Sequence, residues 1–311
     1  MFKFFKYNIL LLLLLLCTSC AVLTDSQLKM VNNLSVTSDS VLVAPAVIFE
    51  ELSEIRAERG LFYAASLSSA DARYKEITSL AEGRIADQKI VKKANIYVDV
   101  LNSYLRALKS ISNDARWKGI GTEIRGIGNN IDSVFIKYNV LDWSEEDIPV
   151  GIAKLSGRYL GYFTQGYMRT RQAKLVKDFV STGDTIVSGC TDALIKALKR
   201  DQMTELIQNE EEGLKLNYLA YLCRLEESET IPDIDIDRHY IDLMQKISKT
   251  KDTRNKCVSA LKSLKKAHHK LLTELEKRKK IEFLYEELLE LNTLSAQLNT
   301  LVKELQSDGK N

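Results

Sequence analysis

The sequence predicts an all-α protein, an elongated multi-helix bundle ending in a long, coiled-coil-like C-terminal helical region. Three observations predict it. Prolines occur only at 45, 149 and 232, and the stretches between them are rich in the helix formers Leu, Lys, Glu and Ala. Residues 214–308 hold no glycine at all. Apolar residues recur in steps of three and four, the spacing that gathers them on one side of a helix. The nearest strand-like pattern, residues 34–43, loses its alternation after Val36.

Taken in order, a helix is expected after Pro45, with Ile48, Leu52, Ile55 and Phe62 along one face. Ser68, Ser69 and Asp71 then supply capping oxygens for a second helical stretch. Its later part carries a clean seam, Ala94, Tyr97, Leu101, Tyr104, Leu108 and Ile111, and the phase falters over residues 83–89, where a kink or short break is expected. Gly119, Gly121, Gly126 and Gly128 flank the row Ile120, Ile124, Ile127, Ile131 and Val134. Each costs a helix about 1 kcal/mol against alanine, so close approach of another helix is their expected purpose.

Residues 139–149 read as a loop containing Trp143. Further glycines interrupt the aromatic stretch that follows; of these only Gly157 and Gly161 fall close together on a helix. That helix should reach about Val180, and Ser181, Thr182, Gly183 and Asp184 then read as a break plus cap. Residues 186–227 make one or two helices, and acidic residues 226–237, with Pro232, are the best boundary. Beyond them lie two seams, Cys257, Leu261, Leu264, His268, Leu271, Leu275 and then Ile281, Leu284, Leu288, Leu291, Leu298, Val302, Leu305. Their phases disagree across residues 276–280, which predicts a bend or hairpin.

The first twenty residues have a character of their own. Lys3 and Lys6 precede an apolar run over 9–16, followed by Cys17, Thr18, Ser19 and Cys20, with no acid among them. The run is too short to span about 30 Å of hydrocarbon but suits the apolar core of an export signal. Leu16, Thr18, Ser19 and Cys20 resemble the lipobox of bacterial lipoprotein signals, departing from it at Cys17, where the pattern has an aliphatic residue. The resemblance covers residues 1–20 only. It implies cleavage before Cys20, acylation of that cysteine, and a protein of the cell envelope; Ala21 after it favours the outer membrane, facing the periplasm. More than one acyl chain would be needed for stable anchoring, since a single chain binds only marginally. The expected organisation is therefore a signal peptide over 1–19, a Ser/Thr/Asn/Val-rich tether over 20–44, a helical bundle over 45–228, and a C-terminal helix or helical hairpin over 229–311 packing on that bundle.

Charge and chemistry narrow the function. The chain has 44 basic and 42 acidic residues; without the two signal lysines it is formally neutral. That is poor footing for nucleic acid, whose binding rests on neutralising phosphates. Cys190, Cys223 and Cys257 permit one disulfide in an oxidising compartment. Cys190–Cys223 is the candidate pair, and three buried thiols are the alternative. Asp233, Asp235 and Asp237 imitate the start of a calcium loop, but Arg238 and Met244 stand where glycine and a bidentate glutamate belong. His268 and His269 point about 100° apart, so a metal site there would need ligands from another helix. The glycine runs fit no phosphate loop, and paired glutamates such as 210–212 read as solvated charge.

No catalytic residue, metal or cofactor is expected. Two surfaces remain as candidates: Arg158, Tyr159, Tyr162, Phe163 and Tyr167 as a partner or ligand surface, and Trp117 with Trp143 as a membrane-interface pair. Together these point to a lipid-anchored envelope scaffold or adaptor that binds another envelope protein. The alternatives are a membrane-active, pore-forming-like helical protein and an envelope enzyme without recognisable motif. The sequence leaves the oligomeric state open.

Overall fold

The computed structural model describes residues 25–112, 169–277 and 284–308. They form seven helices and no strand: α1 (Asp25–Thr37), α2 (Asp39–Ser66), α3 (Ala70–Ser112), α4 (Arg169–Lys199), α5 (Asp201–Glu227), α6 (Ile234–Lys277) and α7 (Leu284–Asp308). The all-α bundle predicted from the sequence is the fold. α3 and α6, at 43 and 44 residues, each run about 65 Å at 1.5 Å per residue.

α2 is the central element, packed by α1, α3, α5, α6 and α7. It is covered nearly all round: Val41, Leu42, Ile48 and Ile55 are fully buried, and so is much of the opposite side. The helix begins before Pro45 rather than after it, and Pro45 lies inside. Proline removes one backbone donor. The buried side chains on both flanks outweigh that loss, and tertiary packing overrides the local preference.

The expected tether over 20–44 is corrected from Asp25 onward. Residues 25–37 and 39–44 are helical, and Val31, Leu34, Val41 and Leu42 are fully buried. The Ser/Thr character that suggested a tether has a local use. Ser35 and Ser38 hydroxyls donate back to the carbonyls of Val31 and Leu34, at 3.1 and 2.7 Å. Such back-bonding bends helices, here at the α1–α2 joint.

α3 begins as predicted, with Ser69 Oγ accepting from the Ala72 amide at 3.4 Å. Its seam is buried at Ala94, Leu101, Tyr104 and Leu108 and half-buried at Tyr97. The short break expected as one outcome over 83–89 does not occur, α3 being continuous there; the apolar phase falters because the first half of the helix is largely exposed. The break expected at 181–184 is likewise absent, and α4 runs through it to Lys199. The real interruption is Arg200, which separates α4 from α5.

α5 ends in a Schellman turn. Thr230 and Glu229 amides donate to the carbonyls of Leu225 and Glu226, at 2.9 and 3.0 Å, and Glu229 adopts φ 52°. That is the left-handed position usually taken by glycine. Asp233 Oδ1 then caps α6 by accepting from the Asp235 amide at 3.0 Å. The boundary read at 226–237 is thus a tight turn, across which α5 and α6 remain packed.

The α6 seam from Cys257 to Leu275 is buried throughout. α7 returns antiparallel along α6: Lys256 meets Gln297 while Lys266 meets Glu290. The hairpin is the outcome of the phase change seen in the sequence. α7 also reaches the start of the chain, where Ser295 Oγ donates to the Thr37 carbonyl at 2.9 Å.

Candidate functional site

The most chemically organised cluster lies where α3, α4 and α6 meet. Gly183 lets α4 come close to α3: a methyl added there would overlap the Tyr104 ring at Cε2, Cζ and OH. The ring stacks on Phe179, one turn earlier on α4, with centroids 5.0 Å apart and planes 7° from parallel. Its hydroxyl lies 2.6 Å from His268 Nε2, and His268 Nδ1 lies 2.9 Å from Asp184 Oδ1. The other carboxylate oxygen, Oδ2, is 3.1 Å from His269 Nδ1.

One assignment of protons satisfies every atom. Hydrogen bonding from His268 holds the Asp184 carboxyl below its ordinary range, so it is ionised and only accepts. Both Nδ1 atoms therefore donate to it, which leaves His268 Nε2 to accept from the Tyr104 hydroxyl. Burial pushes the His268 imidazole down, more than the carboxylate raises it. The ring is neutral at pH 7.

A carboxylate, imidazole and hydroxyl in series is the arrangement that activates nucleophiles. Here His268 is fully buried and Tyr104 nearly so. What the chain of hydrogen bonds does is tie three helices together at fixed register. The sequence reading missed it. It took Asp184 as a cap and set the histidines aside as surface and seam residues. The available signal was the side-by-side histidines, which one carboxylate from another helix bridges. No group of three metal-ligating side chains suited to an ion occurs among the described residues.

A second polar row runs along α2. Lys246 of α6 is ion-paired to Glu51 and Glu54, at 2.7 and 2.9 Å. Burial raises the Glu51 carboxyl against the pull of Lys246. Arg56 and Arg59 both meet Glu210 of α5, at 3.1 and 2.7 Å, and Arg56 reaches Asp87 of α3. Glu210, expected on a solvated face, is buried. Toward the end of α2, His239 bonds to Glu58 at 3.1 Å and stacks on Phe62. Tyr218 stacks on Tyr240, their centroids 4.1 Å apart, and donates to Asp237. Burial, with that bond, pushes the Tyr218 phenol up to about 12. Asp233, Asp235 and Asp237 thus serve as a cap, a partner for Arg238 and a partner for Tyr218.

Compared with family models, with curated proteins and with solved structures, the chain matches none.

No disulfide forms between Cys190 and Cys223. Cys190 and Cys257 are buried thiols and Cys223 is exposed, so the alternative of three buried thiols fails as well, at Cys223. Cys20, Trp117, Trp143, Arg158, Tyr159, Tyr162, Phe163 and Tyr167 lie outside the described residues, as do the glycine runs from 119 to 166. No described helix is long and apolar enough to cross a membrane.

What the described surface does offer is apolar. On α5, Leu216 and Leu219 are 66 % and 57 % exposed, and Cys223 continues their row. On the first half of α3, Tyr74, Ile77 and Ile85 are exposed. Near the α5–α6 turn, Ile231, Ile234 and Ile241 are exposed, Ile231 by 90 %.

Proposed function

We propose that this protein is a lipid-anchored helical scaffold or adaptor of the cell envelope that binds another envelope protein. The observation that carries the binding half is the lip formed by Ile231, Ile234 and Ile241, which exposes three branched apolar side chains within eleven residues. Exposed clusters of this kind mark interaction sites. Acids surround them in the chain: leaving out the buried, arginine-paired Glu210, residues 205–242 contain ten Asp and Glu against three Lys and Arg. A surface of that sign attracts a basic protein segment and is repelled by an anionic bilayer. It therefore favours the adaptor over the membrane-active alternative. The anchor half rests on the lipobox resemblance at Cys20.

The test is photo-crosslinking in cells from a reactive side chain placed at Ile241. A discrete adduct with one other envelope protein, lost on Ile234→Asp, supports the reading, as does release of Cys20→Ser from the membrane fraction. No adduct, or unchanged membrane retention of Cys20→Ser, overturns the corresponding half.

A further inference from the structure

The rows on α3 and α5 differ in kind from the lip, because each is built as half of a helix–helix seam. On α3, residues 70–90 meet the bundle along a single line, Ala72, Glu76, Leu80, Gly83 and Asp87, all half-buried. About 145° round the helix, at about 100° per residue, stand Tyr74, Ile77, Ala81 and Ile85, spaced three, four and four. On α5 the inward face carries Leu214 and Tyr218, and the outward face carries Leu216, Leu219 and Cys223, spaced three and four. These are the steps that seat side chains of one helix between those of another. The buried seams inside this bundle use the same steps.

The unpaired charges beside the two rows are opposite in balance. Exposed beside the α3 row are Arg73, Arg84 and Lys89 against Glu82, with Lys75 and Asp71 paired to each other; exposed beside the α5 row are Glu212 and Glu226, with Lys215 paired to Glu211 and Glu227 to Arg224. Arg73 and Lys89 stand about 24 Å apart along the axis, and Glu212 and Glu226 about 21 Å. Each apolar row therefore lies between charged brackets of nearly equal span and contrary sign.

We propose that the occupant of each row is the other row on a second copy of this chain, α3 of one molecule lying along α5 of the next. Pairing α3 with α3 would set cation against cation, and α5 with α5 acid against acid, so the contact is between unlike faces. Such a contact either closes with two-fold symmetry or continues to further copies. This inference does not depend on the envelope partner proposed above; it concerns the chain's association with itself.

The experiment uses the full-length protein with detergent micelles in excess over protein, followed by sedimentation velocity over a range of concentrations and salt. Association weakening with salt is expected. Arg73→Glu/Lys89→Glu should weaken it about tenfold, and Glu212→Lys/Glu226→Lys should do the same. An equimolar mixture of the two variants should regain most of it, because each then offers the other a complementary face. Ile85→Cys for parallel helices, or Ile77→Cys for antiparallel ones, should form a disulfide with native Cys223 between isotopically distinguishable copies, these positions being level with Cys223 when the charged brackets align. The proposal is overturned by a protein monomeric at all concentrations, by a mixture no better than either variant alone, or by crosslinks that join Cys223 to Cys223. All four charged positions are exposed, and unchanged helical circular dichroism of the variants separates lost association from lost fold.

Discussion

Gly183→Ala is the substitution that most directly tests the packing of α3 on α4. In an exposed helix the change stabilises by about 1 kcal/mol, because alanine loses less backbone freedom on folding. At 183 the new methyl meets the Tyr104 ring. That ring cannot slide away freely, being stacked on Phe179 and bonded to His268. Overpacking of this kind costs about 1–3 kcal/mol. Displacing the phenol would also strand the buried His268 Nε2, at about 1–3 kcal/mol. Against a gain of about 1, the net loss is about 1–5 kcal/mol. With a urea m-value of about 2 kcal/mol/M, a loss of 2 kcal/mol lowers the unfolding midpoint by about 1 M. Gly83→Ala is the control, since nothing lies within 4 Å of a methyl there, and it should raise the midpoint. In a Tyr104→Ala background Gly183→Ala should change sign and stabilise. A Gly183→Ala protein as stable as the unmodified one would refute the argument, as would equal effects at both glycines.

Other consequences follow from the same contacts. Lys246→Met leaves Glu51 buried without its cation and should cost about 3–5 kcal/mol by chemical denaturation, most of it recovered in Lys246→Met/Glu51→Leu. Because the folded protein holds His268 below its ordinary 6.5, protons bind preferentially to the unfolded chain as pH falls below that value, and stability should decline. Asp184, held below 3.8, adds a further loss only at more acid pH. His239, raised by Glu58, works the other way, stabilising below 6.5 and losing that effect as pH rises through its folded value. His268→Gln should flatten the acid side of the stability–pH curve, and His239→Gln the alkaline side. Maleimide labelling of the native protein, read by peptide mapping, should modify Cys223 and spare Cys190 and Cys257; the Cys190 thiol is buried and pushed up to about 12. Glu229→Gly should stabilise by about 1 kcal/mol by relieving the left-handed backbone at the end of α5.

Much of the fold was legible because burial in helices leaves a period. The seams from Ala94 to Leu108 and from Cys257 to Leu275 could be read residue by residue, and the phase change near 276–280 correctly announced the α6–α7 hairpin. Errors came where local chemistry had two meanings. Ser35 and Ser38 look like linker residues but turn their hydroxyls onto the helix behind them. Ser181, Thr182, Gly183 and Asp184 look like a stop and a start, yet the glycine admits an aromatic ring and the aspartate holds two histidines. The acceptors of Ser35 and Ser38 are only four residues back, but the uses of Gly183 and Asp184 depend on distant side chains, as with Asp184 to His268, 84 positions away, and Tyr104 to His268, 164 positions away. No local window contains them. The same holds for Glu210, whose burial depends on two arginines of α2 more than 150 residues earlier.

The bond from Ser295 to the Thr37 carbonyl bridges 258 positions of the chain. Among the described helices α1 and α2 are synthesised first, yet both are packed by α7, the last of them. At about 5–20 residues per second, a ribosome takes on the order of ten seconds or more to supply that cover. During that interval the early helices present bare hydrocarbon to whatever is nearby. The order of helices in the chain thus sets a delay before the domain can close, long enough for a chaperone to act on it while it is still open.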